Sequence, residues 1–198
     1  MRDSENIEEL VKLAPDYIGF IFYDKSKRFV ADFPKVEILS TIKKVGVFVN
    51  EPVEVILDLV AKNKLDAVQL HGDESSEFCE ELKTVFNHQI EIIKAFSVDK
   101  YFDFSITKEY ESSCDLFIFD TKGGGYGGTG LKYDWTILNN YKGETYFLLS
   151  GGIGFNDIDI VNDFKHPKCI GVDLNSGFED TPGLKNIKRL KEFIAEIN

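Results

Sequence analysis

Seven short apolar runs, spaced by amphipathic stretches, constrain this chain more than any other feature. They read YIGFIF (17–22), KVGVFV (44–49), DAVQLH (66–71), IEIIKAF (90–96), CDLFIFD (114–120), TYFLLSGG (145–152) and CIGVDL (169–174). A strand wetted on one face alternates apolar and polar side chains. These runs are nearly continuous in β-branched, leucine and aromatic residues, the pattern of a parallel sheet covered on both faces. Segments of helical period lie between them, among them PVEVILDLVAKNK (52–64), SSEFCEELKTVF (75–86) and LKNIKRLKEFIAEI (184–197). Polar helix-start residues such as Ser75 and Asn156 precede them. Alternating βα units of this length define the α/β class.

The chain opens on a helical segment, SENIEELVKLA, with Asp3 or Ser4 as its N-cap, so the first visible strand is YIGFIF. Seven strands suit a doubly wound sheet. They also suit a (β/α)8 barrel that lacks its first strand and begins in the first βα loop. No linker or composition shift divides the 198 residues, so one domain over 1–198 is expected, with a substantial core. No run of about 18 apolar residues suggests a membrane span. The charged opening MRDSENIEEL does not read as a secretory signal. Cys79, Cys114 and Cys169 are widely spaced, which fits a reduced, cytoplasmic protein without disulfides or a zinc site. A net charge of −11 argues against a nucleic-acid partner. An anionic ligand would need local backbone N–H groups and a few cations.

In either architecture chemistry gathers at the carboxyl ends of the strands. Those ends carry Tyr23–Arg28, Asn50, Gln69–Asp73, Lys94–Phe96, Asp120–Gly130, Ser150–Gly154 and Asp173–Gly177. The run FDTKGGGYGGTG (119–130) holds six glycines in its last eight positions. A dinucleotide fingerprint would set its first glycine directly after the first strand and an acid about 20 residues on; neither holds here. No Gly-Lys-Ser/Thr follows, which removes a P-loop. A plain surface turn seldom needs so many glycines, each costly in unfolded-state entropy. A ligand-covering loop remains, with Gly124, Gly125, Tyr126, Gly127 and Gly128 as the lid and Asp120 at its root. SGGIG (150–154) and DLNSG (173–177) place small residues at two further strand ends. Their backbone N–H groups can form an anion nest, and in barrels the loops after the last two strands are a frequent phosphate site. Gly151, Gly152, Asp173, Ser176 and Gly177 are the residues expected there.

These stretches together resemble the phosphoribosylanthranilate isomerase family. The resemblance runs in order through GFIFYDKSKRFV (19–30), KVGVFVN (44–50), DAVQLHGDES (66–75), IKAF (93–96), FDTKGGGYGGTG (119–130), Trp135, LSGGI (149–153) and GVDLNSGFEDTPGLK (171–185). It implies a (β/α)8 barrel catalysing an Amadori rearrangement of N-(5-phosphoribosyl)anthranilate in tryptophan biosynthesis, with no metal or cofactor. The resemblance assigns the general acid to Asp120, where an apolar strand end under a closing lid can raise a carboxyl pKa by desolvation. Arg28 matches the arginine that holds the anthranilate carboxylate, a task for a bidentate donor. Gln69 and His71 shape the pocket, His71 without a proton-transfer role. Asn175-Ser176-Gly177 stands where the family reads Ser-Ser-Gly. Indole-glycerol-phosphate synthase, a related barrel, would call for catalytic lysines and glutamates at strand ends, and Lys94 is the one strand-end lysine of that kind here.

One departure is large. The family's first strand ends in a Cys-Gly motif whose cysteine is the general base, and Met1-Arg2-Asp3 match the residues directly after it. A misassigned start and a genuine short form both account for this. A folded short chain would be a barrel split between its first and last visible strands, patched by a second copy or left as a monomer. Two functions follow: an impaired isomerase, or an inactive barrel that binds a phosphorylated ligand. Turnover of phosphoribosylanthranilate, followed by fluorescence, separates them. Activity is expected when a strand ending in Cys-Gly precedes Met1; equal activity without it would mean that another residue is the base.

Overall fold

The computed structural model describes residues 1–121 and 134–197. Seven parallel strands follow one another in space as in sequence: β1 (Tyr17–Ile21), β2 (Lys43–Phe48), β3 (Ala67–Leu70), β4 (Glu91–Val98), β5 (Leu116–Thr121), β6 (Phe147–Leu149) and β7 (Cys169–Val172). Each falls on one of the seven apolar runs. Among the described residues five α-helices accompany them: α1 (Ser4–Val11), α2 (Val53–Asn63), α3 (Ser76–Val85), α4 (Ile158–Asp163) and α5 (Ile187–Glu196). The sheet curls rather than lying open. The Tyr17 hydroxyl in β1 reaches Glu91 in β4 across the inner face, at 2.9 Å. Arg28, beyond β1, meets Glu179, beyond β7, at 2.7 Å. This is the expected α/β barrel with seven strands, β1 and β7 standing first and last in the order.

Local signals explain the helix ends. Asp3 accepts from the Asn6 N–H at 2.8 Å, Ser75 from Phe78 at 3.3 Å and Asn186 from Arg189 at 2.9 Å. Each supplies an acceptor for an otherwise unpaired first-turn donor. Lys64 ends α2 in the left-handed region, with φ 52°. The crossovers are uneven. Between β4 and β5 the chain forms a 3₁₀ segment, Phe104–Tyr110, and beyond the glycine-rich stretch another, Trp135–Asn140. Between β1 and β2, ADFPKVEILS carries Pro34 and forms no helix.

The strands separate two apolar layers, because successive side chains point to opposite faces. The inner layer is small: Val45, Ala67, Ile93, Ala95, Leu116 and Ile118, with Tyr17 and Leu148 packed against it. The outer layer, between strands and helices, is large and aromatic. Phe119 is wholly buried there, its ring 5.0 Å from that of Phe147, 5.2 Å from Tyr141 and 5.6 Å from Phe104. Phe119 thus anchors the strand that carries Asp120. Truncating such a ring leaves a cavity among partners that cannot collapse on it. Phe119→Ala is expected to cost about 3–5 kcal/mol, read as a lower urea midpoint with an unchanged slope.

Candidate active site

The pleat that builds the inner layer also aims polar side chains at its upper rim. Ala67, Gln69 and His71 share the inner face at β3; Leu116, Ile118 and Asp120 share it at β5. Ser150 and Asp173 follow β6 and β7 on the same side. Gln69 Nε2 lies 3.0 Å from His71 Nδ1, and His71 Nε2 lies 3.4 Å from Asp120 Oδ2. With the amide donating, the ring carries its proton on Nε2, directed at the carboxylate. His71 and Asp120 side chains are 13% and 14% exposed, so this contact is largely shielded from water yet open to a ligand. The other Asp120 oxygen accepts from the Thr121 N–H at 2.8 Å.

Asp173 completes the group. Its Oδ2 accepts from the Ser150 hydroxyl at 2.9 Å. Burial, and then the charge of Asp120, push its carboxyl above the ordinary aspartate range, partly offset by Ser150, Lys185 and His71. Two carboxylates facing one enclosed space resist being charged together. The rim can therefore hold a proton more firmly than a solvated carboxyl does.

The two glycine loops lie beside these carboxylates and against each other. Gly151 and Gly152 take φ of 95° and 71°, which a side chain rarely adopts. A Cβ at Gly177 would come within 2.1 Å of the Ile153 carbonyl oxygen, so the turn Ser176–Phe178 seats directly on the SGGIG loop. Asp157 holds the Gly154 N–H at 2.7 Å, so that amide already has its acceptor.

Arg28 lies at the same rim but is engaged. Its Nε and Nη2 grip the Glu179 carboxylate at 2.8 and 2.7 Å. Glu179 is only 4% exposed, and its carboxyl is held below the ordinary range by Arg28 and Lys185 against the opposing effect of burial. Lys185 donates to the Leu174 carbonyl at 3.2 Å and to Asn175 Oδ1 at 2.9 Å, beneath the DLNSG loop. Burial pulls its ammonium below the ordinary lysine range. The structure thus brings together Gln69, His71, Asp120, Asp173, Gly151, Gly152, Ser176 and Gly177 around one rim, with Arg28 at its side. Sequence reasoning missed Glu179 and Lys185; the apolar neighbours Phe178 and Leu184 were the available hint that these charges face inward. The lid positions Gly124, Gly125, Tyr126, Gly127 and Gly128 lie outside the described residues. Of the cysteines, Cys79 is buried in α3, Cys114 precedes β5 and Cys169 opens β7, so none stands at the carboxyl rim. No group of residues suited to holding a metal ion occurs among the described residues.

Comparison with known proteins places these observations in a family. The model for N-(5'-phosphoribosyl)anthranilate isomerase matches residues 1–196. The isomerase of Parabacteroides distasonis is 48% identical over the whole of this chain and 90% of its own length. That of Phocaeicola vulgatus is 40% identical over the whole chain and 94% of its own length. A crystal structure of the Thermotoga maritima isomerase superposes with a TM-score of 0.83 at 34% identity, covering 99% of this chain and 94% of the other. Another, at 32% identity and a TM-score of 0.81, is a complex of such an isomerase with reduced 1-(o-carboxyphenylamino)-1-deoxyribulose 5-phosphate; it covers 99% of this chain and 94% of that one.

The raised Asp173 carboxyl has a stability consequence. Folding penalises its charged form, so the penalty is absent below the unfolded pKa and grows as pH rises towards and through the folded value. Asp173→Asn, neutral and able to accept from Ser150, is expected to raise the thermal midpoint at pH 7. The gain should shrink towards pH 4. An equal gain at both pH values, by scanning calorimetry, would remove the electrostatic cause.

Proposed function

The chain belongs to the N-(5'-phosphoribosyl)anthranilate isomerase family, and on that premise we propose how its own residues carry the reaction. The reaction is the Amadori rearrangement of N-(5-phosphoribosyl)anthranilate to 1-(2-carboxyphenylamino)-1-deoxyribulose 5-phosphate, a step of tryptophan biosynthesis. Asp120 gives its proton to the furanose ring oxygen as the C1′–O4′ bond breaks, and the anthranilate nitrogen becomes a Schiff base. A base then takes the C2′ proton, and the enolamine collapses to the ketone. The observation that supports Asp120 most is its place on the inner rim, 3.4 Å from His71 Nε2 and in electrostatic contact with Asp173.

The remaining parts follow the substrate's shape. The phosphate lies in the paired loops of Gly151, Gly152, Ser176 and Gly177, where backbone N–H groups supply charge-assisted donors. Arg28 meets the anthranilate carboxylate through Nη1, since Glu179 occupies its Nε and Nη2. Glu179 thereby aims the guanidinium, which on a long stem would otherwise sample many rotamers. Gln69 and His71 line the pocket floor. No cofactor or metal enters. No helix among the described residues is long and apolar enough to cross a membrane, and we place the enzyme in the cytoplasm, as a monomer or homodimer acting on a small molecule.

The base is the cysteine of the family's Cys-Gly motif, to which none of Cys79, Cys114 or Cys169 corresponds in position.

Asp120→Asn tests the acid. It is expected to lower kcat by about 10²–10⁴-fold while binding of the reduced product analogue changes little, measured by stopped-flow fluorescence and calorimetry. Weakened binding with unaltered turnover would assign Asp120 to substrate recognition instead.

A further inference from the structure

Directly behind His71, between β3, β4 and the head of α3, lies a charge pair outside the rim. The Lys94 and Glu74 side chains are 4% and 2% exposed and stand 3.0 Å apart. Lys94 occupies β4 between Ile93 and Ala95, which face the inner layer, so its side chain leaves through the opposite face. There it meets backbone. Its ammonium donates to the Leu70 carbonyl at 3.3 Å, to the Gly72 carbonyl at 2.7 Å and to Glu74 Oε2, which engages all three N–H donors.

Glu74 grips the same turn from the other side. Its Oε1 accepts from the Asn50 N–H at 2.8 Å, and its Oε2 from the Gly72 N–H at 2.9 Å. Asn50, at φ 53°, returns Oδ1 to the Asp73 N–H at 2.8 Å. Gly72 is therefore held by its donor and its acceptor at once. A Cβ there would lie 2.5 Å from Asn50 Oδ1 and 2.8 Å from Glu74 Oε1, so the turn closes only around glycine. His71 sits between the two carbonyls that Lys94 pins, and its own N–H donates to the Phe48 carbonyl at 2.9 Å.

Stability does not account for this pair. Desolvating two charges offsets most of their attraction, and apolar side chains of similar volume are commonly as stable. The pair does what an apolar pair cannot: it fixes peptide orientation on both sides of one residue, and that residue's ring meets Asp120. We propose that Lys94 and Glu74 are positioning residues for the isomerase reaction, a buried clamp that sets the His71 ring and through it the Asp120 carboxylate. This inference rests on the assignment of Asp120 as the acid; the clamp's effect on the ring is measurable without turnover.

The test compares the wild-type chain with Glu74→Gln/Lys94→Met. That variant keeps an acceptor for the Asn50 and Gly72 N–H groups, removes both charges and frees the two carbonyls. The three histidines are labelled with nitrogen-15 and His71 is assigned with His71→Asn. In the wild type, His71 should show separate Nδ1 and Nε2 signals, with the proton on Nε2. In the folded double variant the two signals should move towards an averaged, tautomer-exchanging imidazole. Where the chain turns over, kcat should fall about 10²-fold, as a misplacement of about 1 Å brings, with a smaller change in KM. A folded double variant with wild-type His71 signals would overturn the clamp. Should the double variant fail to fold, Glu74→Asp keeps both charges but withdraws the carboxylate from Lys94 and from the Asn50 and Gly72 N–H groups. It should shift the His71 signals in the same direction, and unchanged signals would again overturn the proposal. Full turnover in Asp120→Asn beside a displaced His71 in the double variant would instead uphold the clamp and reject the acid assignment.

Discussion

The structure depends on parallel strand pairing. Seven consecutive strands run the same way, from Tyr17 in β1 to Val172 in β7, so all their carboxyl ends reach one rim. Every residue of the site stands on that rim or just past it. The pleat divides labour along each strand: Leu116 and Ile118 fill the inner layer, Asp120 ends the same face in the pocket, and Phe117 and Phe119 lock into the outer aromatic layer. Interiors are close-packed and transmit displacement, so the position of one carboxylate is tied to rings on the far side of the strand.

Charge is handled in the opposite way from a solvated surface. Arg28, Glu179 and Lys185 share one partly desolvated cluster at the junction of the first and last strands, and Lys94 and Glu74 form another behind β3. A buried charge is tolerable only when paired and hydrogen-bonded, and both clusters meet that condition through backbone carbonyls as well as side chains. The chain's overall charge of −11 does not prevent it from gathering cations where an anionic ligand would approach. Net charge describes the far field; the rim is set by Arg28 and Lys185 at close range.

Much of this was legible in the sequence, for a physical reason. Parallel strands buried on both faces read as continuous apolar runs, and all seven were visible. The glycines were legible because backbone approach leaves no room for a side chain, as at Gly177. What escaped reading depends on register. Lys94 looked like a strand-end lysine of the rim; the pleat turns it outward, and its partner Glu74 lies twenty residues earlier in the chain. Glu179 escaped because nothing local shows that Arg28, 151 positions away, will meet it. The raised Asp173 carboxyl follows from the nearness of Asp120, decided by the curl of the sheet. The 3₁₀ crossovers were hidden too, since FSITKEY and WTILNN are too short to establish a helical period.

The contact of Gly177 with the Ile153 carbonyl has a meaning for how such a barrel can be altered. Loops after different strands are usually regarded as separate modules, each replaceable on a fixed scaffold. Here the loop after β7 rests directly on the loop after β6, with no room for a side chain between them at Gly177. A change in the length of either displaces both. The heritable unit at this corner is the two-loop cassette, and recombination between relatives that cut between β6 and β7 would deliver two halves with no common seat.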